Sequence, residues 1–293
     1  MTSTSPTKSG RNRVPAAIAA LALLTAAYAY VIVGFVHSGG ARRETFAPVG
    51  GAGADGGLTL QATMLTVDPV MNSYKMRLNF TPTGSWAGPE HNELAKPLSV
   101  LVDDVGGAKK QQYTAGQVIP TSDATLDAVG ETDTYPVDRH SFTLDLHVRD
   151  QNGAPVPVRT DWVSSSDDWA LTPAVSPDAA PGDVILDVNA RRSSSVLIMA
   201  FGLMTVLGLL VVVNVAMVVR AIRLRKVEFT TLAALAATLF AIPGIRNGMP
   251  NTPPVGTLAD FLVFFWALMI IGLCLVAAAL SWLRNSVREP KTG

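Results

Sequence analysis

The sequence predicts a membrane protein of two parts, an antiparallel all-β sandwich held between one N-terminal and three C-terminal transmembrane helices. Three observations predict it. Four apolar runs are each long enough to cross a bilayer, since a helix rises ~1.5 Å per residue and about 20 residues span a ~30 Å hydrocarbon core. Between the first run and the second, the hydrophobic period switches to two, the period of half-buried strands. Basic residues gather at one set of run ends, which orients the chain. Composition agrees: 16% of the 293 residues are charged and the mean hydropathy is +0.31, against roughly 25% charged in a soluble domain.

Residues 1–13 carry Lys8, Arg11 and Arg13 and are read as a cytoplasmic terminus. Residues 14–36 hold no charge and form the first predicted span. Ala27-Tyr28-Ala29 resembles a signal-peptide cleavage site, but Tyr30 to Val36 stays apolar and favours an uncleaved anchor. Either outcome exports the β-patterned region beyond it. The Gly- and Ala-rich stretch 37–57 reads as a flexible tether.

Residues 58–192 read as the exported sandwich. In Ser73 to Thr81, Tyr74, Met76, Leu78 and Phe80 share one face; in Phe142 to Arg149, Phe142, Leu144, Leu146 and Val148 do. Leu58 to Val67, Leu98 to Val102, Val156 to Val163 and Val184 to Val188 predict further strands, separated by Gly and Pro clusters. Short strands with frequent turns favour an antiparallel sandwich.

Three more spans lie at 193–219, 227–245 and 258–283, joined by the basic link 220–226 and the Pro- and Gly-rich loop 246–257. The tail, 284–293, is again basic. All three basic sites face the cytoplasm if both termini do, which places residues 38–192 outside a plasma membrane. Arg42, Arg43, Arg191 and Arg192 then lie just outside it, with headgroup contact as their expected role.

Several function classes lose support. Zero net charge leaves no nucleic-acid footprint. The lone Cys274 permits neither an intrachain disulfide nor a cysteine-based metal site. His37, His91, His140 and His147 show no zinc-hydrolase spacing, and no nucleophile elbow or phosphate loop occurs. The pairs Asp103-Asp104 and Asp167-Asp168 lack the acidic ladder of a calcium loop and read as solvated turns. No catalytic, cofactor-binding or metal-binding residue is assigned, and no cofactor is expected. The spans carry no ionisable group away from their ends, unlike pumps and ion-coupled carriers, and Asn214 is their notable polar residue. Gly202, Gly208, Gly272, Ala277, Ala278 and Ala279 are small enough for close helix contact.

Two strings stand out. Tyr135-Pro136-Val137-Asp138-Arg139 launches the cleanest strand, with Tyr135 expected to pack and Asp138 to be hydrogen-bonded. The loop from Pro243 to Gly256 is bracketed by Arg246 and Asp260, opposite charges near a membrane boundary. They are expected to pair across the hairpin and fix the loop beneath the exported domain, because a partner lowers the cost of a charge there. Tyr135, Pro136, Asp138, Arg139, Arg246 and Asp260 are therefore the candidate interaction or structural residues.

These two strings, with the order of helix, β domain and helices, resemble the domain-of-unknown-function family numbered 4436, membrane proteins found largely in actinobacteria and their relatives. Val137 stands where that family usually has Phe. The resemblance implies a plasma-membrane protein and supplies no activity. Pentameric ligand-gated channels have a similar Tyr-Pro-Phe-Asp string, too short to carry channel function over. An anchored, motif-poor β domain favours a non-enzymatic envelope protein that binds a protein, lipid or wall component. The alternatives are an oligomeric channel or transport component, or an envelope hydrolase or transferase.

Overall fold

A computed structural model of the chain describes residues 33, 42–49, 56–90, 92–164 and 166–286. The predicted first span, 14–36, lies outside the described residues apart from Val33, as does most of the 37–57 stretch.

Among the described residues, ten strands form the β domain: β1 Arg42–Phe46, β2 Leu58–Asp68, β3 Ser73–Pro82, β4 Leu98–Val102, β5 Lys109–Tyr113, β6 Ser122–Gly130, β7 Arg139–Asp150, β8 Val158–Ser164, β9 Trp169–Val175 and β10 Asp183–Arg192. Their order is β1-β8-β2-β3-β6-β7-β10-β9, with β4 paired to β7 and β5 to β4. Strand β6 joins the two halves. Ser122 to Asp127 pair with β3, and Ala128 to Gly130 pair with β7. The sheet thereby turns back over itself, nearly closed, around one core that includes Leu60, Tyr74, Leu78, Leu144, Leu146 and Trp162. The predicted alternation is visible in burial, for Tyr74, Met76, Leu78 and Phe80 all point inward while Lys75 and Arg77 are exposed.

Two departures from expectation have simple causes. Part of the predicted tether, Arg42–Phe46, is an edge strand antiparallel to β8, and Phe46 packs on the core. The pair β2·β8 is parallel, from Leu58 opposite Val158 to Met64 opposite Ser164, so the domain is not wholly antiparallel. Five intervening strands supply the long crossover that a parallel neighbour needs.

Three helices complete the described chain: α1 Ser194–Arg223, α2 Phe229–Asn247 and α3 Phe265–Ser286, the last entered through a π-helical turn, Asp260–Phe264. All three are long and apolar enough to cross a membrane. Helix α2 passes through Pro243 and ends at Asn247, two residues beyond the predicted stop. The glycine expectation fails, because a Cβ at Gly202, Gly208 or Gly272 would meet nothing within 4 Å. Ala278, expected at a helix contact, is fully buried in the helix cluster, and Ala200 and Ala267 are buried there with it. Asn214 is buried too, and its Nδ2 donates to the Leu210 carbonyl of its own helix at 2.8 Å.

Candidate functional site

Strand β10 runs into α1 without a linker: Arg192 ends the strand, Ser193 caps the helix and Ser194 begins it. The Ser193 hydroxyl accepts from Val196 N–H at 3.4 Å, the arrangement that satisfies a first-turn donor. Ser193 N–H donates to the Asp168 carbonyl at 2.9 Å, which ties the β8–β9 turn to the same point. The two parts of the molecule are therefore one continuous backbone at this joint.

Parity puts charge inside it. Val184, Leu186, Val188 and Ala190 face the core, and two residues on, Arg192 does as well. On β7, Phe142, Leu144 and Leu146 share their parity with His140 and, preceding the strand, Asp138. Burying a lone charge is costly, so these groups must meet. Arg192 Nε donates to both Asp138 oxygens at 2.9 and 3.0 Å, and Nη2 donates to Oδ2 at 2.9 Å. His140 Nε2 lies 3.2 Å from the same Oδ2, and because an ionised carboxylate only accepts, Nε2 carries the hydrogen. The guanidinium carbon sits 4.0 Å from the Trp169 ring centre and 5.1 Å from that of Tyr135, so the cation lies between two aromatic faces. His140 meets Trp169 edge-on at 5.3 Å. Glycine is required at position 130, where a Cβ would fall 2.2 Å from His140 Nδ1.

Burial alone would raise the Asp138 pKa; hydrogen bonds from His140 and Arg192, with their charge, outweigh it and hold the carboxyl below its ordinary value. Burial pushes the Tyr135 phenol up to about 12, so at neutral pH it is a donor. That hydrogen goes to the helices. Tyr135 Oη donates to the Pro250 carbonyl at 3.0 Å, and Ala259 N–H donates to the Tyr135 carbonyl at 3.3 Å. The Tyr135-Pro136 peptide bond is cis. Asn251 Nδ2 adds a bond to Asp168 Oδ2 at 3.0 Å.

The α2–α3 loop that receives Tyr135 is fixed by the pair anticipated across the hairpin. Arg246 Nε and Nη2 each donate to Asp260, both at 3.0 Å, and Nη2 also reaches the Pro254 carbonyl at 2.6 Å. Asp260 Oδ2 further accepts from the backbone of Gly256 and Thr257. Five of the six candidate residues thus meet at one joint. Arg139 does not: it is exposed, one step outward from the cluster.

Arg192 corrects the expectation of headgroup contact, because it is 3% exposed and neutralised inside the domain. Trp169, His140 and Ser193 were not anticipated as partners. Their signal lay in strand parity, which places a charge and an imidazole on core-facing positions. Of the acidic pairs, Asp104 closes its own turn, accepting from Gly106 N–H and Lys109 Nζ. Asp168 belongs to the joint. His147, half-buried, lies 2.9 Å from Asp183, which also pairs with Arg149. His91 and His37 lie outside the described residues. Two open grooves mark the outer face, one of about 630 Å³ beside Asp103, Asp127 and Asp187 and one of about 730 Å³ beside Tyr113, His147 and Arg149.

Chemically the cluster is a lock. Its charges are buried and paired with each other, although Arg192 Nη1 and His140 Nδ1 have no hydrogen-bond partner, and the linings of the two grooves include neither Asp138 nor Arg192.

A β domain that runs directly into helices of membrane-spanning length, with a buried ion pair at its base, is the class of protein that fold and site define. Residues 48–188 match the family described as Domain of unknown function (DUF4436), the family that the two strings resemble; they hold the first string, while the second, Arg246 to Asp260, lies beyond them. Residues 192–285 match a second, Domain of unknown function (DUF8686). The boundary between the two falls at the joint. A search of the curated proteins gives no match.

Proposed function

We propose that the protein is a multi-pass plasma-membrane protein with both termini in the cytoplasm, and that it holds a β-sandwich rigidly on the outer face as a non-enzymatic binding or scaffold module of the cell envelope. The joint carries this reading. A domain that ran free on a tether would not need a linkerless strand-to-helix transition, a buried Asp138–Arg192 pair and a hydrogen bond from Tyr135 to the helical hairpin. Such rigidity preserves orientation, which matters to a platform that presents a surface at fixed height. The charge of the domain narrows the partner. Between residues 42 and 192 there are 20 acidic and 12 basic residues, a net of −8, which attracts basic protein surfaces and repels anionic polymers.

The test is residue-specific photocrosslinking in intact cells, from Gln112 in one groove and Asn189 in the other. Discrete protein adducts formed from one groove, and weakened at high salt, are the expected result. Crosslinks confined to abundant bystanders from both positions would reject a binding module. The same cells, carrying reporter fusions at Ala128 and Arg223, check the orientation: activity of an exported reporter at 128 alone agrees with it.

A further inference from the structure

The end of the β domain nearest the helices carries an apolar rim. Strands β2 and β3 meet there in the turn Pro69–Asn72, where Val70 is 60% and Met71 73% exposed. Turn tips normally carry polar or small residues, and two bulky apolar side chains at one tip need a reason. The tip is held in place, since Asp68 Oδ1 accepts from Val70 and Met71 N–H, and Thr132 Oγ1 donates to the Pro69 carbonyl at 2.9 Å. Thr132 is three residues from Tyr135, whose hydroxyl bonds Pro250 in the α2–α3 loop. The tip therefore lies beside the level at which the apolar helices end. Val137, 50% exposed, and Val255, 89% exposed on that loop, continue the rim.

A second observation is independent of hydrophobicity. Arg139 and Arg191 are cross-strand neighbours on β7 and β10, both exposed, one residue outward from the buried cluster. Like charges directly opposite are destabilising, and among the described residues neither has an ion-pair partner within 4 Å. An apolar rim beside paired cations matches the chemistry of a phospholipid surface, where acyl-glycerol meets phosphate. Glu131 and Asp133, exposed on the adjoining turn, keep the contact shallow.

We infer that this rim rests on the outer leaflet, with Val70 and Met71 entering its interfacial layer and Arg139 and Arg191 on lipid phosphates. The inference rests on the helices being membrane spans, and the test separates the two. Full-length protein with Cys274→Ala receives single cysteines at Met71, at Asn152 in the turn beyond the far end of β7, or at Leu209 in mid-α1, each carrying an environment-sensitive fluorophore in proteoliposomes. Expected at Met71→Cys is several-fold stronger quenching by a glycerol-level nitroxide lipid than at Asn152→Cys, together with protection from aqueous iodide. Replacing phosphatidylcholine by phosphatidylglycerol deepens that quenching, and the double substitution R139Q/R191Q removes the increase. A Met71→Cys label open to iodide and untouched by lipid nitroxide overturns the inference. A label shielded from both also overturns it, assigning the rim to a protein contact. If Leu209→Cys escapes deep nitroxide lipid, the membrane reading itself fails.

Discussion

The two Arg–Asp pairs flanking the joint have the same chemistry and different settings. The side chains of Arg192 and Asp138 are 2% and 0% exposed, enclosed by Tyr135, Trp169 and His140; those of Arg246 and Asp260 are 15% and 16% exposed, in a loop of backbone donors and acceptors. In the first, Asp138 is held by Arg192 and by the His140 N–H, and Arg192 by Asp138 and two aromatic faces. In the second, Gly256, Thr257 and the Pro254 carbonyl share the load, and solvent reaches the remainder. The difference teaches where the fold is least tolerant. A pair so enclosed converts one substitution into a buried charge that has lost its counter-ion, whereas a pair embedded in a loop degrades by steps.

The sharpest way to break the comparison is Arg192→Met, which leaves Asp138 buried with only the His140 hydrogen bond. We expect a loss of about 3–5 kcal/mol, read as a collapse of the thermal midpoint in detergent and of membrane accumulation. Adding Asp138→Leu should restore most of it, since replacing both members of a buried pair by apolar groups is often neutral. A double variant as unstable as the single one would show that the pair acts by geometry and not by mutual neutralisation. The same pair predicts an acid limb. The folded pKa of Asp138 is depressed below its unfolded value, so its contribution is complete above about pH 4 and fades as pH falls through the folded value. Stability measured downward from about pH 5 should decline less steeply in the double variant than in the wild type.

Asp260→Ala comes next. It removes the acceptor of Arg246 and of two backbone donors, and we expect a loss of about 2 kcal/mol with lowered accumulation. Combining it with Arg246→Ala should recover part, because the stranded guanidinium goes too. The recovery should be smaller than that of the Asp138–Arg192 double variant. An equal or larger recovery would erase the distinction between the two pairs.

The strands readable in the sequence were those with an apolar face of large side chains, such as Tyr74, Met76, Leu78 and Phe80. Strand β5 has none: Lys109 to Gln112 are all exposed because it hangs at the end of the sheet. In β6 the inward positions include Ala124 and Ala128, too small to raise the period above background, and β9 is interrupted by Pro173. At the joint, Tyr135, Asp138, Arg246 and Asp260 were visible as unusual strings, and the last two as a pair only 14 residues apart. Arg192 lies 54 residues from Asp138, and that contact depends on β10 lying beside β7, which no local pattern states. Its core-facing parity was legible all the same, and it marks Arg192 as a charge in need of a partner.

The smallest effect concerns the contact through which the two settings communicate. Tyr135 lies against Arg192 on one side and donates to Pro250, in the loop fixed by Arg246 and Asp260, on the other. Tyr135→Phe keeps the ring and deletes the hydroxyl, so the cost should be about 1 kcal/mol, small beside either broken pair. Global stability is therefore the less telling readout. The Pro250 carbonyl loses its donor while the Ala259 N–H bond to the Tyr135 carbonyl remains, so the loop should loosen on one side only. Amide hydrogen exchange should rise over residues 249–256 and stay unchanged in β10. Faster exchange in β10 as well would mean that the hydroxyl supports the buried pair itself, and that the two regions form a single cooperative unit.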